Sequence, residues 1–188
     1  MLTTRSYSEL ALTFFGKTFD ELYKWSCDNR AKFWDEVWQQ ANWIHEGSYT
    51  TVVDESIPVS QLPRWFSGVR INLAENFLLS NNASFKQDSA IAITEVREGN
   101  TEVRQVSWKE LREKAGQLAA VLKAKGLEKG DRVVVVGAHS LSTLLVFLAT
   151  TWCGGVFSSS STDMGVGGLL QRTTQIEPKV NQFPVTFL

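Results

Sequence analysis

The sequence predicts an α/β fold in which a helical lead-in is followed by a hairpin and an incomplete parallel βαβα sheet. Three observations carry this. In three stretches of the first 82 residues, around 18–25, 28–41 and 71–79, apolar groups fall on one side of a helix. Two short β-prone runs around 90–93 and 103–106 then flank the turn-forming group Glu98-Gly99-Asn100-Thr101. Finally, a β-branched run at 132–136 lacks polar alternation, as in a strand covered on both faces, and helix-length and extended segments alternate after it.

Taken in order, Thr18 and Glu21 have the spacing of a capping box, and Phe19, Leu22, Tyr23 and Trp25 follow as the apolar side of a short helix. A second helix is expected to begin at Asp28 or Asn29, burying the aromatic stripe of Phe33, Trp34, Val37, Trp38 and Ala41. From 42 to 63 periodicity fades, and Gly47, Pro58 and Pro63 mark irregular chain. The next helix, 71–79, is expected to bring Leu73, Phe77 and Leu78 to one side and to end at Asn81-Asn82, because asparagine tolerates the left-handed conformation.

After the hairpin, Ser107 and Glu110 repeat the capping spacing, and Trp108, Leu111, Ala115, Leu118 and Leu122 define a helix running up to Gly126. Lys129-Gly130-Asp131 supplies a turn into the central strand. A helix over 141–153 is stopped by Gly154-Gly155, extended chain restarts at Val156-Phe157, and a serine run leads to a last helix over 167–176. Strands alternating with helices of this length imply right-handed crossovers.

Composition narrows the function classes. With 188 residues, 43% hydrophobic, 21% charged and a net charge of -1, the chain has no basic footprint for nucleic acid. Cys27 and Cys153 are too few and too far apart for a disulfide framework or a metal-ligand spacing, which fits a reducing, cytosolic setting. The most apolar window, 144–157, is interrupted by Thr150, Thr151 and Gly154-Gly155 and falls short of the roughly 20 residues needed to span a bilayer, so a soluble chain is expected.

The candidate chemistry is sparse. Gly137 ends a strand, but Ala138-His139-Ser140 follows where a dinucleotide fingerprint needs further glycines. His139 lies at the carboxyl end of that strand, where open sheets bind ligands, though a helix-capping loop explains it as well. The stretch 158–168 is the most informative. Its hydroxyls and glycines lead into a helix and can offer donors to an anionic ligand; alternatively they form a polar strand end whose Ser161 or Asp163 caps the helix. No paired histidines, cysteine–histidine cluster or nucleophile elbow is present, so neither a catalytic nor a metal-ligating residue is assigned.

Several words of the sequence, in order over roughly residues 18 to 180, resemble the acetoacetyl-CoA synthetase branch of the adenylate-forming acyl-CoA synthetases. They are Phe33-Trp34-Asp35-Glu36-Val37-Trp38; Leu62-Pro63-Arg64-Trp65-Phe66-Ser67-Gly68 with Asn72-Leu73-Ala74-Glu75-Asn76; Lys129-Gly130-Asp131-Arg132-Val133; and Ser158-Ser159 through Asp163 and Gly165 to Gln175-Ile176-Glu177-Pro178-Lys179. Acetyl-CoA synthetases share the tryptophan-rich lead-in but differ at Glu75-Asn76 and near 162–164. The chain departs from the branch at Thr162 and Met164, at Ala138-His139, and at Thr173, which leaves acyl preference open.

The resemblance implies the start of the large N-terminal domain of a two-step ligase. ATP and a short carboxylic acid give an acyl-adenylate and diphosphate, and coenzyme A then displaces AMP, with magnesium as the metal. For acetoacetate the product is acetoacetyl-CoA. It also implies that the phosphate loop, the adenine-contacting residues and the catalytic lysine lie downstream of these residues, so this chain alone is expected to be inactive. By position, Ser161, Thr162 and Asp163 match the place where acetyl-CoA synthetases approach coenzyme A. The expected organisation is a lead-in over 1–82, the start of an AMP-binding α/β domain over 83–180 and a divergent tail over 181–188. The alternatives are an acetyl- or propionyl-CoA synthetase-like ligase, a non-catalytic fragment that binds coenzyme A or associates with a full-length synthetase, and a poorly soluble non-functional product.

Overall fold

The computed structural model describes residues 16–79 and 86–180, which fall into two compact units divided between Arg70 and Ile71. In the first unit, α1 (Phe19–Asp28) opens with the expected capping box: the Thr18 hydroxyl accepts from the Glu21 amide, and the Glu21 carboxylate accepts from the Thr18 amide at 2.9 Å. Helix α2 (Arg30–Ala41) starts at Arg30, with Asn29 as its cap residue. Asn29 makes no side-chain cap bond, because its amide instead donates to the Trp25 carbonyl at 3.1 Å and closes α1.

The expectation that α2 buries an aromatic stripe is corrected. Neither helix has a fully buried residue, and Trp34 stays 44% exposed. Its rings engage one another and the following irregular chain: Trp38 stacks on Phe66 at 4.6 Å between centroids, and Trp34 meets Trp65 edge-on at 6.2 Å. Tyr49 donates its phenol to Asp35, and burial together with that carboxylate pushes the phenol pKa up. The chain from 42 to 69 is irregular apart from β1 (His45–Glu46), which pairs with β2 (Arg70–Ile71), and a single 3-10 turn at Val59–Gln61. Gly68 adopts φ 100°, and a Cβ there would stand 2.5 Å from the Ser48 carbonyl oxygen, so two backbones approach too closely for any side chain.

The second unit begins with α3 (Leu73–Leu78), whose N-cap Asn72 accepts from the Glu75 amide at 3.0 Å. Its buried residues are Ala74 and Leu78, one helical turn apart. Leu73 and Phe77, expected on the same apolar side, are instead exposed, because the i, i+4 pair takes the core face in so short a helix. The helix ends at Leu78; Asn81-Asn82 lies outside the described residues. The hairpin is present as β3 (Ile91–Val96) and β4 (Val103–Ser107), antiparallel, with Val96 opposite Val103 and Gly99 at φ 71° in the turn.

Helix α4 (Trp108–Ala124) is capped by Ser107 and closes where Gly126, at φ 85°, allows its own amide to reach Lys123 and the Leu127 amide to reach Leu122. Strand β5 (Arg132–Val136), helix α5 (Leu141–Trp152) and strand β6 (Val156–Ser160) form a parallel βαβ unit in which Val133 faces Phe157 and Val135 faces Ser159. The serine run therefore belongs to the strand through Ser160, in keeping with the polar strand end that the sequence allowed; ladder pairing with the β5 valines outweighs the weak strand preference of serine.

After helix α6 (Val166–Ile176), Val180 bridges Val133 in parallel on the other side of β5, which makes β5 central. The core consists of two apolar groups. Ala74, Leu78, Val106, Leu111, Leu141 and Leu148 join α3, the hairpin, α4 and α5, while Ala119, Leu122, Val133, Val135, Val146 and Ala149 seat α4 and α5 on the sheet.

Candidate functional site

The carboxyl ends of β5 and β6 place two loops side by side. The Gly137 amide, just beyond β5, donates to the Ser160 carbonyl at the end of β6 at 3.2 Å. Crossover handedness gives this place its interest. The chain leaves β5 through α5 to reach β6, then returns through α6 past β5 to Val180. Right-handed crossovers in opposite directions put the two helices on opposite faces, and the crevice at the strand ends between them is where open sheets bind ligands.

The loop after β6 contains all three residues singled out from the sequence. Ser161, Thr162 and Asp163 are exposed, and the Met164 amide closes a turn onto the Ser161 carbonyl at 3.4 Å. The capping role considered for Ser161 or Asp163 is not found: Gly165 is the N-cap of α6, and no side chain bonds into the first turn. Space does not require Gly165 and Gly167 either, since a Cβ at each would meet nothing within 4 Å. The first turn of α6 thus has no side-chain cap, and Gly167 and Gly168 follow the exposed Val166 in it. Beside it the Ser160 hydroxyl, in a residue only 5% exposed, finds no hydrogen-bond partner among the described residues.

The loop after β5 is built differently. Ser140 caps α5 through the Thr143 amide, and Glu95, from the hairpin, accepts from the Leu141 amide at 2.8 Å. The helix-capping reading of this loop is therefore correct, and a carboxylate already occupies the α5 N-terminus. His139 lines an open cleft of about 490 Å³ between β3 and the start of α5, floored by Ile93, Leu144 and the edge-on pair Phe147 and Phe157. None of Ser161, Thr162 and Asp163 lines that cleft. Sequence reasoning missed Glu95, whose partner lies 46 residues away; only its position one residue before the end of a hairpin strand hinted that it faced inward. Among the described residues no cluster of histidine, cysteine, aspartate or glutamate is arranged to hold a metal.

Comparison with known proteins agrees with this architecture. The family model described as AMP-binding enzyme matches residues 80–181, and that described as acetyl-coenzyme A synthetase N-terminus matches residues 19–77. The chain belongs to the AMP-binding enzyme family. Within it, the chain is 37% identical to acetoacetyl-CoA synthetase of Macaca fascicularis over 87% of its own length, and 34% identical to malonamoyl-CoA synthetase of Penicillium aethiopicum over the same share. A solved acetoacetyl-CoA synthetase from Streptomyces lividans superposes on 91% of the chain with a TM-score of 0.77 and 30% identity. The chain spans 24% of the macaque protein, 22% of the fungal one and 26% of the Streptomyces chain. Among the described residues no helix is long and apolar enough to cross a membrane.

Proposed function

We propose that these residues are the early part of an acetoacetyl-CoA synthetase-like acid–thiol ligase, in which ATP activates a short carboxylic acid as its adenylate and coenzyme A takes the acyl group. The observation that carries this reading is the Streptomyces acetoacetyl-CoA synthetase likeness at a TM-score of 0.77, which covers 91% of the chain at 30% identity. A carboxylate is a poor electrophile until adenylation supplies a leaving group, so such a ligase needs groups that hold phosphates and stabilise developing charge. Among the described residues no cluster is arranged to hold a metal, and the proposal puts the phosphate-holding groups outside these residues. Magnesium, which such chemistry uses with ATP, would be held there too.

Within this chain, Ser161, Thr162 and Asp163 are assigned to the approach of coenzyme A, on a loop whose following helix offers unoccupied amides to an anionic group. The acyl group is proposed as acetoacetate. The 34% identity to a malonamoyl-CoA synthetase supports malonamic acid as the second reading, since both acids place a polar carbonyl group beyond the carboxylate. The two free cysteines, Cys27 exposed and Cys153 half-buried, suit a reducing cytosol. Association with a full-length synthetase belongs to the same reading, favoured by an outer edge of β6 that pairs with no strand among the described residues.

The test is acetoacetate-dependent exchange of pyrophosphate into ATP by the purified 188 residues. No exchange is expected from them alone. Measurable exchange would show that the adenylating groups lie within this chain and overturn the assignment.

A further inference from the structure

Two words of the sequence, Lys129-Gly130-Asp131-Arg132 and Ile176-Glu177-Pro178-Lys179, have no part in the ligand reading, yet the fold brings them into contact. The Arg132 guanidinium donates through Nε to the Ile176 carbonyl at 3.0 Å and through Nη2 to the Glu177 carbonyl at 2.8 Å. These are the last carbonyls of α6, which lack partners inside the helix. Glu177 turns the chain with φ 49° as its amide closes onto Thr173. One residue beyond the proline, the Lys179 amide donates to the Arg132 carbonyl at 2.9 Å, and its ammonium meets Asp131 at 2.8 Å. Asp131 in turn accepts from the Glu128 amide at 2.7 Å, fixing the turn that enters β5.

Helix α6 needs such a clamp. Unlike α4 and α5, it has no fully buried residue; Leu169, Thr173 and Ile176, on one face, are half-buried, so apolar packing holds it less firmly than those helices. Its other end continues directly from the loop of Ser161, Thr162 and Asp163. A helix of 11 residues is a rigid rod of about 16 Å, so a shift at its C-terminus moves that loop. We propose that Arg132 is a positioning residue: by clamping the C-terminus of α6 to the start of β5, it sets where the Ser161, Thr162 and Asp163 loop stands at the strand ends. For its consequence on coenzyme A, the inference rests on the function proposed above. The planar fork is essential, because a lysine ammonium at this place reaches one carbonyl but not both in the plane that the helix end presents.

The experiment compares Arg132→Ala, Arg132→Lys and a packing control, Leu122→Ala, in the 188-residue chain. Amide hydrogen exchange is followed by NMR, and coenzyme A affinity is measured by calorimetry well below the melting range. In Arg132→Ala, the Leu169, Glu177 and Lys179 amides are expected to exchange about tenfold faster or more, the scale set by losing two bonds to a charged donor. Amides within α4 should be unaffected, Arg132→Lys should recover only part of the protection, and Leu122→Ala should show the reverse pattern. Equal acceleration in α4 and α6, or none in α6, would overturn the clamp.

Coenzyme A should bind Arg132→Ala at least about fivefold more weakly while Leu122→Ala retains wild-type affinity. If α6 loosens but affinity is unchanged, Arg132 does not position the loop and the proposal fails. If α6 loosens as expected but the unaltered chain binds no coenzyme A, the clamp stands and the ligand assignment of the loop falls.

Discussion

Replacing Leu148 by alanine tests whether the second unit is held together by the core described. Leu148 is fully buried on α5, in the same apolar cluster as Leu78 of α3, Val106 of the hairpin and Leu111 of α4. Removing it forfeits about 2.4 kcal/mol of transfer free energy, at roughly 0.8 kcal/mol for each lost methylene equivalent. A cavity term adds to this, because helices fixed on three sides relax little around the gap. The total falls at about 3–4 kcal/mol, within the range of about 2–5 kcal/mol for buried leucines. Urea unfolding followed by circular dichroism should show a lower midpoint at an unchanged slope, and melting should fall by roughly 6–16 °C at about 2–4 °C per kcal/mol for a chain of this size. A loss below about 1 kcal/mol would mean that α5 is not packed between these elements.

Asn72→Ala removes an N-cap and two further bonds, because the same side chain caps α3 and donates to the Thr151 and Trp152 carbonyls at 3.1 and 3.2 Å; a loss of about 2–3 kcal/mol is expected in urea unfolding, against about 1 kcal/mol if only the cap matters. Gly68→Ala should destabilise the first unit by more than 1 kcal/mol, read as a lower melting temperature, since its Cβ meets the Ser48 carbonyl; an unchanged melting temperature would contradict that approach. The Asp131–Lys179 pair gives a pH dependence with two limbs. The Lys179 ammonium and the Glu128 amide hold the Asp131 carboxyl below its ordinary value, so its contribution is complete above about pH 4 and disappears as pH falls through the lower folded value. Asp131 raises the Lys179 pKa, so that contribution is complete below about pH 10 and disappears as pH rises through the higher folded value. The stability difference between the unaltered chain and Asp131→Asn should therefore vanish at low pH and shrink at high pH to what the Glu128 amide contributes, and a difference that persists at low pH would contradict the pairing.

What the sequence made legible was local. The capping pair of Thr18 and Glu21, the helix from Trp108 closed at Gly126 and the valine strand are decided by neighbours a few residues apart, and they stand where the pattern put them. What it obscured depended on distant contacts. The serines of β6 could be read as a ligand loop or as a polar strand end, because their pairing partners, the β5 valines, lie more than 20 residues away, and Leu73 and Phe77 read as core because periodicity alone cannot say which face of α3 turns inward. The family words were legible as words but not as physics. Asn72 and Asn76 turn out to tie α3 to itself and to α5, and the Gly-Asp-Arg and Glu-Pro-Lys words are the two halves of one clamp. The loop of Ser161, Thr162 and Asp163 was visible as polar chain before a helix, whereas its uncapped first turn and its place beside Gly137 needed the fold.

The assignment of this loop is tested most directly by titrating coenzyme A into the isotope-labelled 188-residue chain and following the backbone amides by NMR. Saturable shifts centred on Ser161, Thr162, Asp163 and the first turn of α6 are the expected result, reduced in Asp163→Ala. Shifts centred instead on the cleft around His139 and Phe157, or no saturable shift at millimolar ligand, would contradict it.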